Sequence, residues 1–172
     1  RDEVIRREMR QAEGGWYAVD KITLSKQRVD RLGYFNEVTV ETPAVQGTTD
    51  QVDVNLTVVE KPTGSLLFGA GFGSGTGLLL SSSISQNNIF GSGKHVSAGI
   101  NSGKINTLYS LSYTDPYFTV DGVSIGYDLY HRKIDAASGG LGQYITKTTG
   151  AGVRFGVPVT ELDTIGYGLG VE

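Results

Sequence analysis

The sequence predicts a small α+β module followed by strands of an antiparallel β-barrel that spans a membrane. Three observations carry this. Charge is concentrated in residues 1–60 and glycine in residues 64–172. The first stretch mixes helical and strand periodicity. The second shows period-two alternation throughout, apolar on one face and small or polar on the other.

In residues 2–12, Val4, Ile5, Glu8, Met9 and Ala12 recur at helical spacing, and Gly14-Gly15 ends that helix. Asp20 opens a second helix in which Ile22, Val29 and Leu32 form the buried stripe. Gly33 stands where a C-terminal cap belongs. Val38-Thr39-Val40 reads as a strand, residues 42–51 as a loop, and residues 52–59 as a second, half-buried strand. A core this small is marginal, because short domains bury a limited fraction of their surface. Pro62 cannot donate to a ladder and Gly64 accepts unusual dihedrals, so Glu60-Lys61-Pro62-Thr63-Gly64 marks the boundary. The expected domains are residues 1–61 and residues 62–172.

Seven strands are expected beyond it, over residues 64–72, 77–86, 94–103, 107–114, 123–132, 147–157 and 164–171. In the first, Leu66, Phe68, Ala70 and Phe72 oppose Leu67, Gly69 and Gly71. In the fifth and sixth, Ile125, Tyr127, Val153 and Phe155 oppose Gly126, Asp128, Gly152 and Arg154. A soluble sandwich also alternates, but its solvent face is rich in Lys and Glu. Here that face is Gly, Ser, Asn, Asp and Arg, which suits a wet lumen with lipid on the apolar side. Strands of this length match the roughly 9–11 residues needed to cross a bilayer at a tilt. Residues 87–93 and 114–122 read as compact turns, with Tyr117 and Phe118 suited to an interfacial girdle. Residues 133–146 read as a long outward loop.

Composition closes several other routes. The net charge of -3 offers no electrostatic footprint for nucleic acid. Cysteine is absent, which removes disulfides and thiolate metal sites. His95 and His131 have no Cys, Asp or Glu at ligand spacing. Gly71-Phe72-Gly73-Ser74-Gly75 is not followed by a helix that could hold a phosphate. We expect a non-enzymatic protein with no cofactor and no metal. The charged run at Arg1 is not a signal peptide, and it suggests that the natural N-terminus lies upstream.

Several strings resemble one family. Val4-Ile5-Arg6-Arg7-Glu8-Met9-Arg10-Gln11, Glu13-Gly14-Gly15-Trp16, Arg31-Leu32-Gly33-Tyr34-Phe35 and Asp50-Gln51-Val52-Asp53-Val54 resemble the last POTRA module of the Omp85 superfamily. Thr63-Gly64-Ser65 with Phe68-Gly69-Ala70-Gly71-Phe72-Gly73 resembles its first barrel strand. Residues 87–93 and 115–124 resemble its turns. The resemblance implies a POTRA module lacking its first strand, then the N-terminal part of a barrel that closes with about sixteen strands. It implies a place in the Gram-negative outer membrane with the module in the periplasm. It also implies a role in folding and inserting outer-membrane barrel proteins. Partners would be nascent barrel proteins, outer-membrane lipid and accessory lipoproteins, BamD-type at the POTRA module.

Two candidate sites follow from the resemblance. Leu66, Leu67, Phe68, Gly69, Ala70, Gly71 and Phe72 would form a lateral gate at which an incoming strand pairs by β-augmentation. Arg10, Glu13 and Trp16 would dock the lipoprotein. The plainer readings are glycines that ease barrel curvature and a solvated helix end with Trp16 packed on its own module. Other functions to weigh are a related translocation or autotransporter-export pore, a passive porin-like channel and a soluble β-rich binding domain.

Overall fold

The structure is a computed structural model that describes all residues from Arg1 to Glu172. It divides into two compact units, Arg1–Thr63 and Gly64–Glu172.

The first unit contains α1 (Asp2–Arg6), α2 (Val19–Arg31), β1 (Phe35–Glu41) and β2 (Asn55–Glu60). Its core is Val4, Ile22, Val29 and Val38, with Ser25 fully buried among them. The first helix is much shorter than the expected span of residues 2–12. After Arg6 the backbone tightens into three-residue turns, Glu8 N–H to Ile5 and Met9 N–H to Arg6, both at 3.0 Å. The Arg10 N–H then donates to the Ser25 hydroxyl at 2.8 Å, so α2 draws the chain out of its helix. Ser25 in turn donates to the Lys21 carbonyl at 2.7 Å. Glu8 is buried for a related reason: Arg28 of α2 reaches it at 2.9 Å. Gly33 follows α2 with φ of +70°, the left-handed conformation that ends helices.

β1 and β2 pair antiparallel, from Glu41↔Asn55 to Phe35↔Glu60. The second strand begins later than expected. Val52 makes only an isolated bridge to Ala44, while the Asp53 N–H donates to the Pro43 carbonyl at 2.9 Å. The alternation of residues 52–54 thus belongs to a closed loop rather than to the ladder.

The second unit is a seven-stranded antiparallel meander: β3 (Gly64–Gly73), β4 (Gly77–Gln86), β5 (His95–Ser102), β6 (Asn106–Asp115), β7 (Ser124–Asp135), β8 (Ile145–Pro158) and β9 (Thr164–Val171). Each strand pairs only with its sequence neighbours, and β3 and β9 are the two edges. No helix is long and apolar enough to cross a membrane; a strand-built span is a separate matter.

Register lines up the two faces across the sheet. Phe72↔Leu78, Ile84↔Ala98, Ala98↔Leu111, Leu111↔Leu129, Leu129↔Ala151 and Ala151↔Val171 are directly opposed pairs on the apolar face. Ser85↔Ser97, Ser97↔Ser112, Ser112↔Asp128, Asp128↔Gly152 and Gly152↔Gly170 run along the other. Most large side chains on the apolar face are exposed, including Phe68, Phe72, Leu129 and Leu169. That exposure is what lipid contact requires, since a barrel wall one sheet thick buries its apolar face in lipid.

The loop expected over residues 133–146 is shorter than that, because strand pairing takes both of its ends. β7 and β8 stay paired out to Asp135↔Ile145, leaving residues 136–144 as the connection. At the other end of the strands, the β4–β5 turn holds Asn88 and Phe90 at φ of +52° and +51°. The Asn88 side chain accepts the Gly93 N–H at 2.8 Å. Lys94 then pairs with Asp115 at 3.2 Å, tying this turn to the end of β6.

Candidate functional site

The strand predicted as the gate, β3, forms ten opposed pairs with β4, from Gly64↔Gln86 to Gly73↔Gly77. Its other side has no neighbour in the sheet. In an antiparallel strand both polar groups of a residue point the same way, and the direction alternates along the chain. Half of the β3 residues therefore present N–H and C=O toward β4, and half toward the open edge. Leu66, Phe68 and Phe72 are exposed on the apolar face, with Ala70 between them; Leu67 is exposed on the other face. Gly69 and Gly71 face the lumen side opposite Ser81 and Leu79.

These glycines are not equivalent. A Cβ at Gly69 would stand 2.5 Å from the Ser81 hydroxyl, whereas one at Gly71 would meet nothing within 4 Å. Gly71 is therefore not required by crowding, and glycine recurs in β8 and β9. Glycine content does not single out β3; its open backbone edge, shared in this sheet with β9, and its place directly after the first unit do.

The lipoprotein-docking candidates lie in the turn region between α1 and α2. Arg10 is half-buried and bonded to its own module: Nη1 donates to the carbonyl of Arg7 at 3.3 Å. Glu13 is exposed and accepts from Arg6 at 2.7 Å. Trp16 is 96 % exposed and so is not packed on its own module. Its carbonyl accepts from the Gln11 amide at 3.0 Å, and the Ala18 N–H donates back to Gln11 at 3.2 Å. One glutamine thus clamps the segment that presents the indole. A cavity of about 590 Å³ opens beside it, lined by Arg6, Met9, Gln11, Glu13, Tyr17 and Val52.

A polar network on the lumen side joins three strands. Arg154 of β8 donates through Nε to Asp128 of β7 at 2.5 Å and through Nη2 to the same carboxylate at 3.2 Å. Nη2 also reaches Ser112 and Thr114 of β6, both at 3.3 Å, while Ser112 donates to Asp128 at 2.8 Å. Gly126 makes room for this: a Cβ there would be 2.9 Å from Nη2. Alternation puts Asp128 and Arg154 on one face; the register of β7 on β8 makes them a bidentate pair.

Comparison with known proteins matches both units. Residues 1–61 match the POTRA family described as "Surface antigen variable number repeat", and residues 88–172 match the "Omp85 superfamily domain". The chain is 48% identical over 174 residues to the outer membrane protein assembly factor BamA of Neisseria meningitidis, covering 100% of this chain and 22% of that protein. It is 29% identical over 126 residues to the chloroplastic outer envelope protein 80 of Oryza sativa, covering 70% of this chain and 18% of that one. The crystal structure of BamA from Haemophilus ducreyi lacking POTRA domains 1-3 superposes with a TM-score of 0.81 at 38% identity, over 99% of this chain and 32% of that one. The chain thus spans about a fifth of the length of the curated relatives it matches. Two successive family matches, similarity to assembly factors over the whole of this chain and a shared fold give one conclusion: this chain belongs to the Omp85 superfamily, with a POTRA module leading into strands of an outer-membrane β-barrel.

Proposed function

We propose that this chain is part of the central component of the outer-membrane β-barrel assembly machinery. It works in the outer membrane of a Gram-negative cell, with residues 1–61 in the periplasm and residues 62–172 in the barrel wall. Its clients are nascent outer-membrane barrel proteins. The carrying observation is the position of β3: the first barrel strand, directly after the POTRA module, with ten residues paired to β4 and its other side open in this sheet. Each backbone group left unsatisfied in hydrocarbon costs several kcal/mol. An incoming strand removes that cost, and backbone hydrogen bonds make few demands on client sequence. Leu66, Leu67, Phe68, Gly69, Ala70, Gly71 and Phe72 are the template of this lateral gate. The work is done by pairing and insertion, without enzymatic chemistry or a cofactor.

Arg10, Glu13 and Trp16 are the docking point for Bam-complex lipoproteins of the BamD type. Trp16 supplies an exposed aromatic anchor. Glu13 supplies a charge whose value rises once an interface removes water from it. A translocation pore or a passive channel would share the barrel wall. Similarity over nearly the whole of this chain to proteins named as assembly factors favours insertion.

The test uses the full-length parent in cells depleted of their own assembly factor. Single cysteines at positions 65 to 72 should cross-link to a stalled client strand in one register, and the parent should restore barrel-protein assembly. Failure to restore assembly, or cross-links scattered without register, overturns the reading. For docking, Glu13→Lys should reduce lipoprotein co-purification, and a compensating charge reversal in the partner should recover it.

A further inference from the structure

The outward rim of the apolar face holds two lysines in an unfavourable place. The chain enters β3 from the periplasmic module, so β3, β5, β7 and β9 run outward and the β7–β8 connection lies on the outer side. Near that end, Lys133 of β7 stands directly opposite Lys147 of β8. Like charges in opposed cross-strand positions repel. The alternation of β7 puts both on the apolar, lipid-facing side, two residues beyond His131 and four beyond Leu129.

The depth fits a headgroup. Ile125 to Lys133 covers eight residues of strand, about 27 Å at the usual rise. At a barrel tilt of about 40° that is roughly 20 Å along the membrane normal, close to the ~25 Å height of an apolar band. The rung below is already interfacial: the His131 ring bonds the Thr149 hydroxyl at 2.7 Å, and its centroid lies 6.4 Å from that of Tyr109. Lys133 and Lys147 therefore emerge where acyl chains give way to polar heads, and their stems can lie along the apolar wall.

Local acids leave the cluster cationic. Asp135 shares the face and attracts Lys133 while its carboxylate also accepts the Ser138 N–H at 3.0 Å, so one carboxylate stands against two ammonium groups and the cluster stays net positive. On the opposite rim the cation Lys94 has its own carboxylate in Asp115. The two ends of the wall thus differ: one cation with one carboxylate inside, two cations with one carboxylate outside.

We propose that Lys133 and Lys147 form a binding site for the phosphate of an anionic lipid headgroup in the outward leaflet. One phosphate between two ammonium groups turns the cross-strand repulsion into two attractions. The proposal rests on the membrane placement of the wall and not on the insertion activity, so either can fail alone.

The test reconstitutes the full-length protein in phosphatidylcholine nanodiscs carrying a minor fraction of either phosphorylated or dephosphorylated lipid A, and counts retained lipid by native mass spectrometry. The wild type should retain the phosphorylated form preferentially. Each Lys→Gln change should weaken retention about five-fold and the pair about thirty-fold. Lys133→Arg with Lys147→Arg should keep it. Added inorganic phosphate should not displace the lipid; displacement would assign the site to a free anion and overturn the proposal. Equal retention of the two lipids by the wild type, or full retention by the double Gln variant, also overturns it. The wild-type comparison decides the matter even if that variant fails to show the heat-modifiable mobility of a folded barrel.

Discussion

Removing the Arg154 guanidinium should loosen three strands at once. Its Nε and Nη2 hold Asp128 at 2.5 and 3.2 Å, and Nη2 reaches Ser112 and Thr114 at 3.3 Å. The pair is not deeply buried: the side chains are 51% and 38% exposed, so lumen water screens it. The cost of losing a fully buried ion-pair partner therefore does not apply. About 1 kcal/mol for the screened bidentate pair and about 0.5 kcal/mol for the long hydroxyl contacts gives about 1–2 kcal/mol for Arg154→Ala. Asp128→Ala loses the same pair and the Ser112 bond, so it should cost a similar amount. The double variant should cost less than the sum by about 0.5–1 kcal/mol, the coupling of the pair. The measurement is urea unfolding of the full-length barrel in lipid for all four members of the cycle. Additive single costs, within about 0.3 kcal/mol, would refute the claim that these side chains act as a unit.

Four further outcomes are expected. Gly150→Val should cost about 1–3 kcal/mol, because a Cβ there would lie 2.3 Å from Cζ of Tyr130 and displace the ring; barrel unfolding midpoints check this. Ser25→Ala should destabilise the POTRA module by about 1–2 kcal/mol, since the buried hydroxyl serves both the Arg10 N–H and the Lys21 carbonyl, and the Arg10 amide should then exchange faster with deuterium. Gly33→Ala should cost about 1 kcal/mol at its φ of +70°, read by proteolysis of the α2–β1 junction. Burial pushes the Tyr34 phenol up, with Arg7 opposing and Glu8 reinforcing the shift. A raised folded-state value favours the neutral form, so this contribution to stability is complete below about pH 10 and fades as pH climbs through the folded-state value; Tyr34→Phe should flatten that alkaline loss in a pH series of module unfolding.

The seven barrel strands were legible because lipid and lumen water impose opposite demands on successive residues. β4 and β9 fall on their expected limits, Gly77–Gln86 and Thr164–Val171. The ends of β7 and β8 were not legible. Past His131 the lipid no longer dictates side chains, so alternation fades while backbone pairing continues to Asp135↔Ile145. Lys133 falls in the expected loop and Lys147 at the start of the next expected strand, so their opposition is visible only in the register. The first helix failed differently: its apolar spacing runs to Ala12, but a hydroxyl on α2, distant in sequence, takes the Arg10 N–H. No window of local sequence contains that competition. Residues 52–54 alternate like a strand but close onto Pro43 and Ala44. The edge position of β3 was implied by family resemblance rather than by its glycines, and the unequal surroundings of Gly69 and Gly71 show why composition was a poor guide.

The one-sided pairing of β3 also sets how the wall yields to force. β4 to β8 are each anchored by two ladders, β3 and β9 by one, and no strand pairs beyond its immediate neighbours. Tension at the β3 edge therefore loads a single row of hydrogen bonds, from Gly64↔Gln86 to Gly73↔Gly77, and passes inward only after that row opens. Between the two margins, the Arg154 side chain adds bonds across β6, β7 and β8 to the backbone ladders. The proposed gate strand therefore sits where one row of hydrogen bonds, rather than two, holds it in the sheet.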